Sequence, residues 1–171
     1  MTDDSDVLEF VKRSPVKGIA ARDKENIADD AEEDSCAAFG FLRGIRDRAL
    51  AIEFRYADGN SDWFAYSCLI SWRFNPSLGL LLKFTADVVT LVLIRGSNLD
   101  ALVNGTVNLP HGIQRHRIMW VREMDETEAR KLAGDGPTVD RIEIVEFESQ
   151  AEMRQGIVKF APHFLSDWKS G

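Results

Sequence analysis

The chain has 171 residues, 44% hydrophobic and 29% charged, which is close to the globular average and excludes wholesale disorder, a collagen-like fibre and a disulfide-dense miniprotein. The net charge of −7 is unevenly placed: residues 1–35 carry −6, residues 36–124 carry +3 and residues 125–171 carry −4. The acidic balance belongs to the ends and the middle is mildly basic, so the overall charge speaks for solubility and says little about what the central segment binds.

Residues 1–35 hold few large apolar groups and a dense acid run at Asp29, Asp30, Glu32, Glu33 and Asp34. Such a segment cannot bury enough surface to offset its ordering entropy and predicts an acidic, disordered tail. Its first residues, Met1 to Asp6, are acidic where a secretory leader would be basic. Two well-separated cysteines, Cys36 and Cys68, without Cys-x-x-Cys spacing, predict a reduced cytoplasmic protein. The longest apolar run, Leu78 to Ile94, is interrupted by Lys83 and Asp87 and reads as two strands and a turn, not a membrane span.

From Ala49 the hydrophobic period is two. Leu50, Ile52, Phe54 and Tyr56 share one face, and Asp58-Gly59-Asn60 supplies a hairpin turn. Phe64, Tyr66, Cys68, Ile70, Trp72 and Phe74 continue as an apolar face long enough to demand a strongly curved strand. Leu78–Thr85 and Val88–Arg95 are so rich in Leu and Val that both faces must be covered. The expected core contains Ile52, Phe54, Tyr66, Ile70, Leu82, Val92 and Ile94.

Ser97, with Asp100 three residues on, predicts a capped helix of about two turns stopped by Asn104-Gly105, followed by a strand near His116 to Met124. Asp125 with Glu128 predicts a short helix ending at Gly134, then an alternating strand over Val139–Glu148. Ser149 with Glu152 starts one more helical turn that Gly156 ends, leaving Ile157–Phe160 as a short strand. The expected organisation is a tail over 1–35, a β domain over 36–124 and an α/β extension over 125–171. The fold class is mainly β with α additions (α+β), built on a small antiparallel barrel or sandwich with appendages.

Ile94-Arg95-Gly96-Ser97-Asn98-Leu99, at the end of the most hydrophobic strand, resembles the second motif of the Sm-like (LSm) family. The resemblance covers roughly 49–124, and the order of strands there is also similar to that family's bent five-stranded barrel, which implies a small, strongly bent antiparallel β-barrel of Sm-like or SH3-like kind. It implies a ring of subunits in which Arg95 contacts RNA bases, Gly96 permits the turn and Asn98 lies beside it. The family's earlier Asp-x-apolar-Asn motif is missing around Phe74-Asn75-Pro76-Ser77.

Arg43, Arg46 and Arg48 precede the first strand of that barrel, and Arg115, Arg117 and Arg122 lie in or near its last. If these strands adjoin, the guanidinium groups share one region and can hold phosphates. Trp63, at the end of the hairpin, is the best exposed aromatic candidate for stacking. His111, His116 and His163 have no metal-ligand spacing, no glycine-rich phosphate loop is present, and Ser166-Asp167-Trp168-Lys169 lacks supporting motifs. These observations predict a non-catalytic interaction or assembly module without cofactor or metal. Its strands have few prolines or lysines to blunt an edge, so a homo-oligomer is expected, with a further protein or RNA partner and no membrane. The candidate ligand-binding residues are Arg95, Gly96, Asn98, Arg115 and Arg117.

Overall fold

The structure, a computed structural model, describes residues 31–164. The elements below belong to one unit that begins at Glu32, and the tail over residues 1–30 and the Ser166–Lys169 motif lie outside the described residues. The strands are β1 (Glu33–Ser35), β2 (Phe39–Leu42), β3 (Ala51–Arg55), β4 (Ser61–Ala65), β5 (Leu69–Asn75), β6 (Gly79–Thr85), β7 (Val89–Ser97), β8 (Ile118–Arg122) and β9 (Thr138–Phe147). The helices are α1 (Leu109–Gln114), α2 (Glu126–Leu132) and α3 (Gln150–Phe160). The protein is thus mainly β with helical additions. Its strands form two open sheets, β1-β2-β8-β3-β4 and β5-β6-β7-β9, and no closed barrel is found among the described residues.

The inner faces of the two sheets share one core. Phe39, Phe41, Ile52, Phe54, Ile118 and Val121 of the first sheet pack with Leu80, Leu82, Phe84, Val92, Ile94 and Ile142 of the second. Rings of Phe54, Phe64 and Phe84 meet at centroid distances of 4.9–6.4 Å. The outer face of the second sheet carries Leu81, Leu91 and Leu93, which α3 covers with Met153 and Ile157. The doubly apolar sequences of β6 and β7 are explained by these two covers, as their composition requires.

The run from Phe64 to Phe74 is two strands in different sheets, not one curved strand. A 3₁₀ turn at Tyr66–Cys68 carries the chain across. Tyr66 pins that turn, donating its backbone N–H to Leu50 O (2.9 Å) and its hydroxyl to Ile118 O (2.7 Å). A bulge follows between Leu69 and Ser71, so Ile70 leaves the expected core and is 52% exposed. Leu50, expected on the buried face of β3, is 89% exposed just before that strand begins.

No helix forms after Gly96. Ser97 is still in β7, paired with Thr138, and cannot cap a helix, while Asn98 turns the chain at φ 53°. Asn104 and Gly105 take φ 51° and 68° between the bridged residues Val103 and Val107. This is the positive-φ pair of a tight turn closed by the Thr106 N–H donating to Val103 O (3.0 Å), a role Asn-Gly fills as readily as a helix stop. The helix is α1 instead: Asn108 accepts from the His111 N–H (2.9 Å), and Pro110 occupies the first turn, where its missing N–H costs nothing.

α2 has the expected cap, Asp125 accepting from the Glu128 N–H (2.8 Å). α3 runs through Gly156 to Phe160, where a stop and a strand were expected. The Phe147 ring lies against Gly156, and a Cβ there would fall 2.1 Å from Cε1, so this glycine serves close packing rather than termination. β9 pairs with β7 over its whole length and places Val139 and Ile142 in the core, so the C-terminal segment is part of the second sheet.

The sheet starts at Glu33, inside the segment whose composition predicts a tail. Asn104, donating to Asp34 Oδ2 (2.8 Å), holds that carboxyl below its usual range, helped by the Ser35 N–H and Arg43. A depressed folded value means the clamp is complete above the unfolded carboxylate value of about 3.9 and is lost as pH falls below it. Acidification below about pH 4 is expected to lower the protection of the Ser35 amide, measured as its exchange rate relative to the unstructured chain. Asn104→Ala is expected to remove most of that pH dependence, and an unchanged profile would show that the clamp does not hold β1.

Candidate interaction surface

Four sheet edges are open among the described residues, namely β1, β4, β5 and β9. An edge offers unpaired backbone groups to another chain unless charge or distortion blocks it. β1 is three residues long and acidic, with Glu33 and with Asp34 tied to Arg43. β9 carries Asp140, Arg141, Glu143 and Glu146, and Glu143 bridges Arg95 (3.1 Å) and Arg141 (3.3 Å). β4 is short and holds Asp62, which accepts from the Tyr56 hydroxyl (2.7 Å). β5 has seven residues and a single charge, Arg73, and it presents Ile70 and Trp72, 52% and 38% exposed. Trp63 on the neighbouring β4 is 65% exposed, in line with its expected exposure, and Leu50 abuts the joint between the two strands.

The outer face of the first sheet is a second candidate. Gly40, Trp120, Glu53 and Trp63 stand in register across it, because β3 and β8 are parallel neighbours. The Arg55 guanidinium lies 4.6 Å from the Trp120 ring centroid and pairs with the buried Glu53 (2.7 Å). Arg122 forms a two-pronged pair with Glu128 (2.6 and 3.1 Å) and donates to Ala37 O. Glu53, Arg55, Arg122 and Glu128, together with Tyr56, Glu123 and Asp125, line a cleft of about 500 Å³. Each arginine in it already has a carboxylate, so the cleft offers no excess positive charge to a ligand. Neither this face nor the part played by β2 was legible in the alternation of the sequence.

The predicted ligand residues divide into two places. Arg95 and Gly96 line a hollow of about 230 Å³ with Asp140, His163 and Phe164. Arg95 is ion-paired with Glu143, and Asn98 donates weakly to Gly136 O (3.4 Å). Arg115 and Arg117 line another hollow, of about 150 Å³, with Thr106, Val107, His111 and Gly112. The arginines before β3 and around β8 are also divided: Arg43 bonds Glu32 and Asp34, Arg122 bonds Glu128, and Arg48 and Arg115 are electrostatic neighbours of Arg117.

Arg117 is buried and donates to Leu42 O (2.8 Å) and Arg43 O (2.7 Å), fastening the end of β2. His116 stacks on Tyr66 at 4.5 Å. The two cysteines are free, and burial pushes the Cys36 thiol up from its usual range. Among the described residues no three His, Cys, Asp or Glu side chains are grouped as a metal site requires, and no helix is long and apolar enough to cross a membrane. Compared with protein-family models, curated proteins and solved structures, the chain matches none.

Proposed function

We propose that the protein is a non-catalytic assembly module that pairs with a second copy of itself through β5. The observation that carries this reading is the contrast among the edges: β1 and β9 are guarded by charge and β4 is short, whereas β5 is long and presents Ile70 and Trp72. Two β5 strands related by a two-fold axis pair antiparallel, each supplying the backbone donors the other lacks and covering the other's Ile70 and Trp72. β9 already covers the β7 edge within one chain, so self-pairing falls to β5. Two separate free cysteines fit a reducing compartment.

Light scattering of the full chain tests it. At micromolar concentration the mass is expected at twice the 19.3 kDa of one chain. Ile70→Lys, a change at an exposed position, is expected to weaken the dimer about tenfold or more by placing two ammonium groups at the junction. A strict monomer in the wild type sinks the proposal.

The Sm-like alternative, RNA or nucleotide binding through Arg95 and an arginine-bearing rim of a bent barrel, has less in its favour. Arg95 is engaged by Glu143, and the strands lie in two open sheets. Specific RNA binding by the wild type that Arg95→Ala removes, with the fold intact, would reverse that preference.

A further inference from the structure

Among the described residues, the arginines differ in their partners. Arg43, Arg55, Arg95, Arg122, Arg130 and Arg141 each have a carboxylate within ion-pair distance. Arg117 has none among the described residues, although it is only 5% exposed. Its two hydrogen bonds go to backbone carbonyls, which satisfy donors but bring no carboxylate into contact with the charge. A buried guanidinium without a counter-charge is costly, and proteins rarely keep one unless an anion completes it.

The surroundings add cations rather than remove them. Arg115 and Arg48 both raise the positive potential at Arg117, and Asp47 is the single acid acting on it. Arg48 is turned to the carbonyls of Ile45 and Asp47. Arg115, exposed at the C-terminal end of α1, has no side-chain partner in its hollow, and His111 one turn earlier is likewise unbonded through its ring. The turn after α1, with His116 at φ 54°, brings Arg115 and Arg117 to the same hollow.

We propose that this hollow, lined by Thr106, His111, Arg115 and Arg117, binds one phosphate group, as the free ion or as the end of a phosphate monoester. Its volume of about 150 Å³ is half the roughly 300 Å³ at which pockets for drug-sized ligands begin, so it takes a single small group. Planar guanidinium forks match the oxygens of a tetrahedral phosphate, and charge-assisted bonds are the stronger kind. The site lies around α1 and the turn before β8 and includes no residue of β5, so a monomeric protein would leave it untouched.

Phosphate also stabilises proteins non-specifically, by exclusion from their surface, so saturable heat of binding is the readout rather than a melting temperature. Titration of the full chain with inorganic phosphate, at ionic strength held constant with sodium chloride, is expected to give one saturable site. Arg115→Ala, which removes an exposed side chain that holds nothing in the fold, is expected to weaken that site about tenfold or more, and Arg95→Ala to leave it unchanged. Phenyl phosphate is the second probe: equal binding identifies a monoester as the ligand class, and binding of inorganic phosphate alone identifies the free ion. Absence of saturable binding in the wild type overturns the proposal, as does binding that Arg115→Ala leaves intact. Arg117→Lys, which keeps the charge and loses the fork, is expected to weaken phosphate binding. If Arg117→Lys bound phosphate as tightly as the wild type, the buried fork would have no part in the site and the proposal would fail.

Discussion

Phe54→Ala is expected to lower the stability of the protein by about 3–5 kcal/mol, measured as a shift of the urea midpoint at unchanged slope. Phe54 has no exposed surface, belongs to β3 and touches the rings of Phe64 and Phe84 from both sheets. Removing it opens a cavity where the two sheets meet, and neighbours anchored in different sheets collapse into it poorly. Truncation also removes transfer free energy of about 2–3 kcal/mol, and the rest is the void. A loss below about 1 kcal/mol would mean that the sheets do not share one core.

Gly96→Ala is expected to cost about 2–3 kcal/mol, unusually large for adding one methyl group at a half-buried site. A Cβ at Gly96 would lie 1.9 Å from the carbonyl oxygen of Thr138 on the facing β9 strand. Both neighbours there are backbone, in a ladder that shifts register between Arg95 and Gly96, so neither can swing aside as a flexible side chain would. The family resemblance explains Gly96 as a turn beside an RNA-reading arginine, and on that explanation alanine alters binding more than stability. Urea unfolding separates the two, because a near-neutral Gly96→Ala contradicts the close approach of β7 and β9.

Local rules reached the hairpin at Asp58-Gly59-Asn60, the doubly covered strands β6 and β7, the Asp125 and Ser149 caps and the β9 strand, because turn residues, capping spacings and apolar density are written in short windows. They failed where a residue type has two uses. Asn104-Gly105 is both a helix stop and a hairpin turn, and only the Val103–Val107 bridge decides between them. Gly156 is both a helix terminator and a place for a neighbouring ring, and Phe147 decides. Continuous alternation from Phe64 to Phe74 hides a change of sheet, since a 3₁₀ turn can preserve the appearance of period two.

The candidate surfaces were legible in part. The unguarded strands and the exposed Trp63 follow from composition. Arg115 and Arg117 were singled out together and do share a hollow, but the burial of Arg117 under β2 is set by a chain segment more than seventy residues away. The row of Trp120, Glu53 and Trp63 depends on β8 entering beside β3 in parallel, a pairing between distant segments that no short window encodes.

Amide exchange of β5, residues Leu69–Asn75, measured across a hundredfold range of protein concentration, tests the assembly proposal most directly. Self-pairing through this edge predicts that protection of β5 amides rises with concentration while β1 and β9 amides stay as they were. Protection of β5 that is independent of concentration, in a chain that scatters as a monomer throughout, would contradict it.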